Sequence, residues 1–207
     1  MAPKYSLLYF VTRGRAESVR MLFHYAGVEF EDRRVTFEEF PKELKHNVKE
    51  SPAGFLPVLT TPCGAKIIQT TAIIRYVATE LNLMGENNVE RGLIDGIIVS
   101  NKELHDAAVL ITYVYTDEEK PEKRKELEKK ARNTFTYYEL VAKEYGKCDN
   151  LVGKSVSAAD IYFMEIMDMV TPQLPDPNLL DQFPVLKNIY DKTRELPNLK
   201  KYLAERK

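Results

Sequence analysis

The reading of the fold turns on residues 5–17, Tyr5-Ser6-Leu7-Leu8-Tyr9-Phe10-Val11-Thr12-Arg13-Gly14-Arg15-Ala16-Glu17. The compact apolar and aromatic run from Tyr5 to Phe10 predicts a strand buried on both faces. Thr12-Arg13-Gly14-Arg15 reads as a polar turn. Beyond it, Val19, Leu22, Phe23 and Ala26 recur at i, i+3, i+4 and i+7, the apolar stripe of a helix. Gly27 ends that helix as its C′ residue.

Working outward, Val28 to Val35 predicts a second strand whose charges mark it as an edge. Phe37 to Asn47 can form a short or irregular helix. Phe55 to Thr60 and Ala65 to Gln69 are short strands joined by Thr61-Pro62-Cys63-Gly64, a hairpin with a longer loop. A helix follows from Thr70 to Leu81, with Ile74, Val77, Ala78 and Leu81 on one face. The order β-α-β-(α)-β-β-α is that of a thioredoxin-like module.

Asn82 to Asn88 carries no periodic apolar signal and reads as a linker. After it the strand signals stop. Val89 to Tyr115 is one long helical pattern, broken by Asp117-Glu118-Glu119-Lys120-Pro121. Glu122 to Tyr145 is another, with Glu126 and Lys130 predicted to pair at i, i+4. The charge run Glu118 to Lys130 reads as a solvated face, with a partner surface as the alternative. Leu151 to Val170 is apolar nearly all round, so it predicts the buried central helix of this half. Ser157 and Asp160 resemble a capping box at its start. Pro172, Pro175 and Pro177 forbid helix, and Pro184 to Leu196 and Asn198 to Arg206 predict two last short helices. The expected architecture is α/β plus all-α: a thioredoxin-like domain over residues 1–82 and a helical-bundle domain over residues 83–207.

The bulk composition removes several function classes. A formal net charge of −1 and the lack of a basic tract interleaved with aromatics argue against nucleic acid as a partner. The two cysteines, Cys63 and Cys148, form no CxxC, and the 3 histidines have no ligand spacing, so neither a metal site nor a disulfide framework is expected. That favours a reducing compartment, the cytoplasm. The first apolar run reaches Arg13 too soon for a signal peptide. No stretch approaches the ~18 apolar residues of a membrane helix.

At four places the chain resembles the glutathione transferases. Tyr5 to Phe10 followed by Arg13-Gly14-Arg15-Ala16-Glu17 looks like the opening of the sigma class, which also holds the haematopoietic-type prostaglandin D synthases and the S-crystallins. Pro57-Val58-Leu59 resembles the family's cis-proline strand. Gln69-Thr70-Thr71-Ala72-Ile73-Ile74-Arg75-Tyr76 resembles its glutamyl-binding turn and helix. Gly153, Ser157 and Asp160 match the cap of its second domain. The resemblance implies a cytoplasmic homodimer that uses glutathione as co-substrate and no metal, and conjugates it to hydrophobic electrophiles. The second reading is a glutathione-dependent isomerase of prostaglandin H2, and the third an S-crystallin-like structural protein of weak activity, against which the intact Tyr9 and Arg15 argue. A thiol-disulfide oxidoreductase is disfavoured, because no cysteine follows the first strand.

The residue types suit that chemistry. Only the thiolate of glutathione is a good nucleophile, and a free thiol with a pKa of about 8.5 is mostly protonated at neutral pH. A hydroxyl aimed at the sulfur favours the charged form. Tyr9 is the candidate donor, and Arg15 adds positive charge and, by resemblance, supports the hydroxyl. A core aromatic is the structural alternative for Tyr9, a role Tyr5 fits equally, and a solvated turn is the alternative for Arg13 and Arg15. Gln69 and Thr70 lie where a helix begins and can bind a carboxylate or simply cap. By resemblance, Leu56 offers its backbone to the glutathione peptide beside a cis Pro57. Phe40 takes the position of a family tryptophan, and Lys45 that of a family lysine, with Lys42 competing. Glu103 takes the place of the acidic residue that reaches the glutathione of the partner subunit, or is a solvated glutamate. The electrophile pocket implied by the family draws on Phe10, Thr12, His105, Leu110, Tyr113 and Tyr162, where His105 serves as well as a packed core residue.

Overall fold

Tyr5–Phe10 forms β1, and the rest of the first unit is arranged on it. The computed structural model describes residues 4–206. Phe30–Val35 forms β2, Val58–Thr60 β3 and Lys66–Ile68 β4. The sheet order is β2-β1-β3-β4, with β2 parallel to β1 and the other neighbours antiparallel. β2 is thus the edge that its charges predicted. The parallel pair requires a crossover, supplied by α1 (Glu17–Ala26). Gly27 closes α1 in the left-handed conformation (φ 66°), as predicted.

β3 and β4 are shorter than their apolar runs suggested. Pro57 stands immediately before β3 and has no N–H for the ladder, so pairing starts at Val58. The Leu56–Pro57 peptide is cis. The segment after β2 winds into a single π-type turn, Phe40–Leu44. α2 (Thr70–Glu80) buries Ile73, Ile74, Val77 and Ala78.

Contacts divide the chain into two units, Met1–Leu81 with Pro197–Lys207, and Asn82–Leu196. By contacts, the closing helix groups with the first unit. The second unit contains α3 (Asn88–Tyr113), α4 (Lys120–Tyr145), α5 (Ala158–Val170) and α6 (Pro184–Glu195). α7 (Pro197–Glu205) packs on α1 within the first unit.

In the helical unit α3 packs against both α4 and α5. Phe135 and Tyr138 of α4 meet Phe163 of α5 edge to face at 5.8 and 5.9 Å. Tyr138 Oη lies 3.1 Å from the Ile97 carbonyl and 3.0 Å from Asn101 Oδ1, so this buried hydroxyl has acceptors. The predicted Glu126–Lys130 pair does not form. Lys123 takes Glu126 at 2.9 Å, and Lys130 reaches across to Glu103 on α3 at 2.7 Å.

α5 is buried on nearly every side, as its composition demands, but it begins at Ala158. Residues 151–156 are loop, with Gly153 at φ 71°. Asp160 ties this loop to the helix: Oδ1 accepts from Leu151 N–H at 2.7 Å, and Oδ2 from Ser157 N–H and Oγ–H at 2.8 Å each. Ser157 Oγ in turn accepts from Ala159 N–H at 3.2 Å, completing a capping box. Burial pushes the Asp160 carboxyl up and these hydrogen bonds pull it back, the upward push being the larger.

Ser157→Ala removes the cap while leaving Asp160 both of its backbone donors. It is expected to lower stability by about 1 kcal/mol in a denaturant titration and to leave the folded protein's specific activity unchanged. An unaltered midpoint would show that the hydroxyl contributes nothing to the cap.

Candidate functional site

Tyr9 is near the end of β1 and only 7% exposed. Its hydroxyl oxygen accepts a hydrogen bond from the backbone N–H of Arg15 at 3.1 Å. The turn can come this close because residue 14 is glycine. Gly14 has φ 40°, and a Cβ there would lie 2.8 Å from the Tyr9 hydroxyl oxygen. The sequence reading gave Arg15 a supporting role through its charge. The bond that reaches the phenol comes from its main chain.

Tyr5, the competing aromatic on the same strand, has a different environment. Its hydroxyl is 3.4 Å from Glu80 Oε2. Burial, the Tyr76 hydroxyl and the Glu80 carboxylate together push its phenol up to about 12. Tyr5 is half-buried, its ring packed on Phe23 at 5.1 Å.

The strand register brings three predicted residues to one end of the sheet. Leu8 pairs with Val58, and Val58 with Ile68. The next positions along these three strands are Tyr9, Pro57 and Gln69. Leu56 is buried beside Pro57. Gln69 has φ 73° and ψ 120°, a conformation sparsely populated by residues with a side chain. It opens α2, whose first residue, Thr70, is 5% exposed. The unsatisfied amides of a helix start favour an anion there.

Phe10 extends this end of the sheet. Its ring stacks on Phe37 at 4.5 Å and meets Phe40 edge-on at 5.4 Å. Phe37 was not among the predicted residues, although it is 61% exposed. An aromatic beside a polar turn was the available signal. Lys42 lies in the turn that Phe40 opens, and Lys45 ends it with its N–H on the Phe40 carbonyl at 2.8 Å. Both lysines are exposed.

Sequence reasoning also missed Glu17 and Arg20. Arg20 is fully buried, and its Nη1 donates to the Thr12 and Arg13 carbonyls at 3.1 Å each and to Glu17 Oε2 at 3.3 Å. Its Nε reaches both Asp32 oxygens at 3.0 and 3.1 Å. Opposite charges at i, i+3 in the first turn of the helix were the signal for this pair. Thr12, a predicted pocket residue, thus also belongs to the held turn.

The remaining predicted residues are on the second unit. Glu103 is exposed and paired with Lys130. His105 and Tyr162 are each 2% exposed, and neither ring nitrogen of His105 has a hydrogen-bond partner. Leu110 and Tyr113, in the last turns of α3, are exposed. Among the described residues, no helix is long and apolar enough to cross a membrane, and no cluster of three or more His, Cys, Asp or Glu could hold a metal.

Comparison with known proteins agrees with this arrangement. Residues 5–79 match a family model described as "Glutathione S-transferase, N-terminal domain", and residues 103–206 one described as "Glutathione S-transferase, C-terminal domain". Glutathione S-transferase A1 of Homo sapiens is 36% identical over 208 residues, covering 98% of this chain and 89% of that protein. Glutathione S-transferase alpha-3 of Rattus norvegicus is 36% identical over 208 residues, covering 98% of this chain and 90% of that protein. Among solved structures, the prostaglandin synthase D of Nilaparvata lugens has a TM-score of 0.81 at 28% identity, with 99% of each chain covered. With both domain families matched in order and relatives aligned over nearly the whole chain, this protein belongs to the glutathione S-transferase family.

Proposed function

We propose that this chain binds glutathione at the Tyr9 end of the sheet, holds its sulfur as thiolate, and transfers it to electrophilic small molecules. The observation that carries the reading is the Arg15 N–H on the Tyr9 oxygen. A hydroxyl has one proton to donate and two lone pairs to accept with. Accepting from the amide polarises its O–H, which makes it a better donor to a sulfur and lowers the thiol's pKa. In this reading the start of α2, with Gln69 and Thr70, takes a glutathione carboxylate, and Leu56 offers its backbone to the peptide. Phe40 and Lys45 flank the tripeptide. The exposed rings near Phe10, with Thr12, would meet the electrophile. Of the predicted residues on the second unit, Leu110 and Tyr113 are exposed, whereas His105 and Tyr162 have little exposed surface.

Conjugation comes before isomerisation because the close relatives by sequence are named transferases, while the synthase is a structural neighbour at lower identity. The sigma-like assignment rests on the opening motif and that neighbour, and the relatives named as alpha class compete with it. An assay panel of an aryl halide, hydroperoxides and prostaglandin H2 with glutathione separates the activities.

Tyr9→Phe is expected to bind glutathione about as tightly as wild type and to turn over about 10–100-fold more slowly, each tenfold being about 1.4 kcal/mol of barrier. Conjugation at the wild-type rate would overturn the assignment. For Thr70→Ala the Michaelis constant for glutathione should rise while turnover changes little, the pattern of a contact made equally in ground and transition states. An unchanged constant would take Thr70 out of the site.

The reading extends to a cytoplasmic two-fold dimer in which Glu103 meets the partner's glutathione. Isologous symmetry then gives two equivalent shared sites. Glu103 would exchange its Lys130 ion pair for the ligand's ammonium group, an exposed pair that is cheap to give up. Light scattering should give twice the chain mass. Glu103→Gln should weaken glutathione binding without dissociating the dimer. Full activity in a monomer would exclude a shared site, and wild-type affinity in Glu103→Gln would exclude this residue.

A further inference from the structure

The turn that meets Tyr9 is connected, bond by bond, to the last helix of the chain. Glu17 is 1% exposed, and its two oxygens face different partners. Oε2 accepts from Arg20 Nη1 at 3.3 Å. Oε1 accepts from the Tyr202 hydroxyl at 3.0 Å and from Arg206 Nη1 at 3.2 Å. Tyr202 is on α7 and Arg206 directly follows it. Arg206 N–H also bonds the Tyr202 carbonyl at 2.8 Å, so the two residues are placed together. Arg20 passes the connection on through its bonds to the Thr12 and Arg13 carbonyls. The next two residues are Gly14 and Arg15, whose N–H holds the phenol.

Gly14 makes this connection matter. A glycine is the most permissive swivel in a chain, so the direction of the Arg15 N–H is fixed only if the peptides on both sides of Gly14 are held. On the far side, Gly14–Ala16 forms a 3₁₀ turn leading into α1. On the near side, the two carbonyls clamped by Arg20 do the holding. Arg20 points the correct way only while its carboxylate partners are fixed, and one of these, Glu17, is fixed by α7.

We propose that Tyr202 and Arg206 are positioning residues for Tyr9: through Glu17 and Arg20 they set the Thr12–Arg13 turn and hence the amide that polarises the phenol. The proposal rests on the reading of Tyr9 as the thiolate-holding group. All members of the chain of bonds belong to one compact unit. Burial and the Glu17 carboxylate push the Tyr202 phenol well up, so it donates throughout the working pH range. The charged and titratable groups around Glu17 are Arg20 and His24 from its own helix, Arg34 from β2, Tyr202 from α7 and Arg206 just after it. Around Tyr9, the Arg20 guanidinium lies 5.9 Å from the ring centroid.

The test uses the full chain with Tyr202→Phe, Arg206→Gln and both together. Tyr202→Phe keeps the ring that stacks on His24 at 4.0 Å, so packing is retained when the hydroxyl is lost. The main readout is the ultraviolet titration of the Tyr9 phenol without glutathione, taken as the difference between each protein and its Tyr9→Phe counterpart. Losing the fixed amide disfavours the phenolate, so the midpoint is expected to move to higher pH in the double variant. Turnover with an aryl halide should fall about tenfold while the Michaelis constant for glutathione stays within about twofold. Arg206→Lys should recover part of both. A purely structural role would lower the melting temperature and leave the Tyr9 titration where it is in wild type. That result overturns the proposal, and the Tyr202→Phe single variant decides it if the double variant does not fold. Because the titration needs no conjugation, it separates failure of this connection from failure of the Tyr9 assignment, which the rate of Tyr9→Phe decides alone.

Discussion

A guanidinium with no water around it must find its partners inside the protein, and that constraint on Arg20 organises the first unit. Taking a charge out of water costs several kcal/mol unless hydrogen bonds and opposite charge replace the lost hydration. Arg20 collects two carbonyls from the turn after β1, one carboxylate from its own helix and one from β2. Asp32 is shared further with Arg34 at 2.7 Å. The strand end, the turn, the crossover helix and the edge strand are therefore tied to one group. Breaking a buried pair by removing one member typically costs about 3–5 kcal/mol, because the other charge is left unpaired. The position of the turn that meets Tyr9 follows from that penalty rather than from any preference of its own residues.

The helical unit uses the same logic with the opposite sign. Asp160 is a buried carboxylate, and it takes the N–H of Leu151, the N–H of Ser157 and the Ser157 hydroxyl. These bonds decide where α5 begins and hold the preceding loop against it. In both units a single buried ionisable group converts a stretch of chain that could wander into one with a fixed path. Apolar burial supplies most of the stability, and it is nondirectional. The directional information comes from these two groups.

What could be read from the sequence was mostly local. The run Tyr5 to Phe10, the stripe of α1, the left-handed Gly27 and the Ser157–Asp160 box each lie within a few residues, and each formed as read. The failures were non-local. Residues 151–156 are loop rather than the start of the helix, with Gly153 at φ 71° and the Asp160 side chain, nine residues on, accepting from Leu151 N–H. Lys130 pairs with Glu103 because α3 and α4 lie side by side, a fact that the spacing of Glu126 and Lys130 does not contain. The bonds that tie the last helix to Glu17 and the Tyr25 carbonyl span more than 170 residues and are equally invisible to local reading, while the C-terminal family match over residues 103–206 includes that helix. The candidate site divides in the same way. Tyr9, Pro57 and Gln69 were legible from motif, whereas Arg20 and Glu17 needed the fold.

The Tyr9 hydroxyl shows why a glycine and an unremarkable amide belong in the account of the site. The half-buried Tyr5 directs its hydroxyl proton toward Glu80. At Tyr9 the nearest backbone group is a donor instead, so the oxygen is engaged through a lone pair. A Cβ at position 14 would stand 2.8 Å from that oxygen and close the approach, which is why the turn carries glycine at that point. The environments of Tyr5 and Tyr9 therefore differ in which group faces the phenol, a carboxylate at Tyr5 and a backbone N–H at Tyr9. That in turn is set by two carbonyls, Thr12 and Arg13, pointing away toward Arg20 and leaving the following N–H to point back.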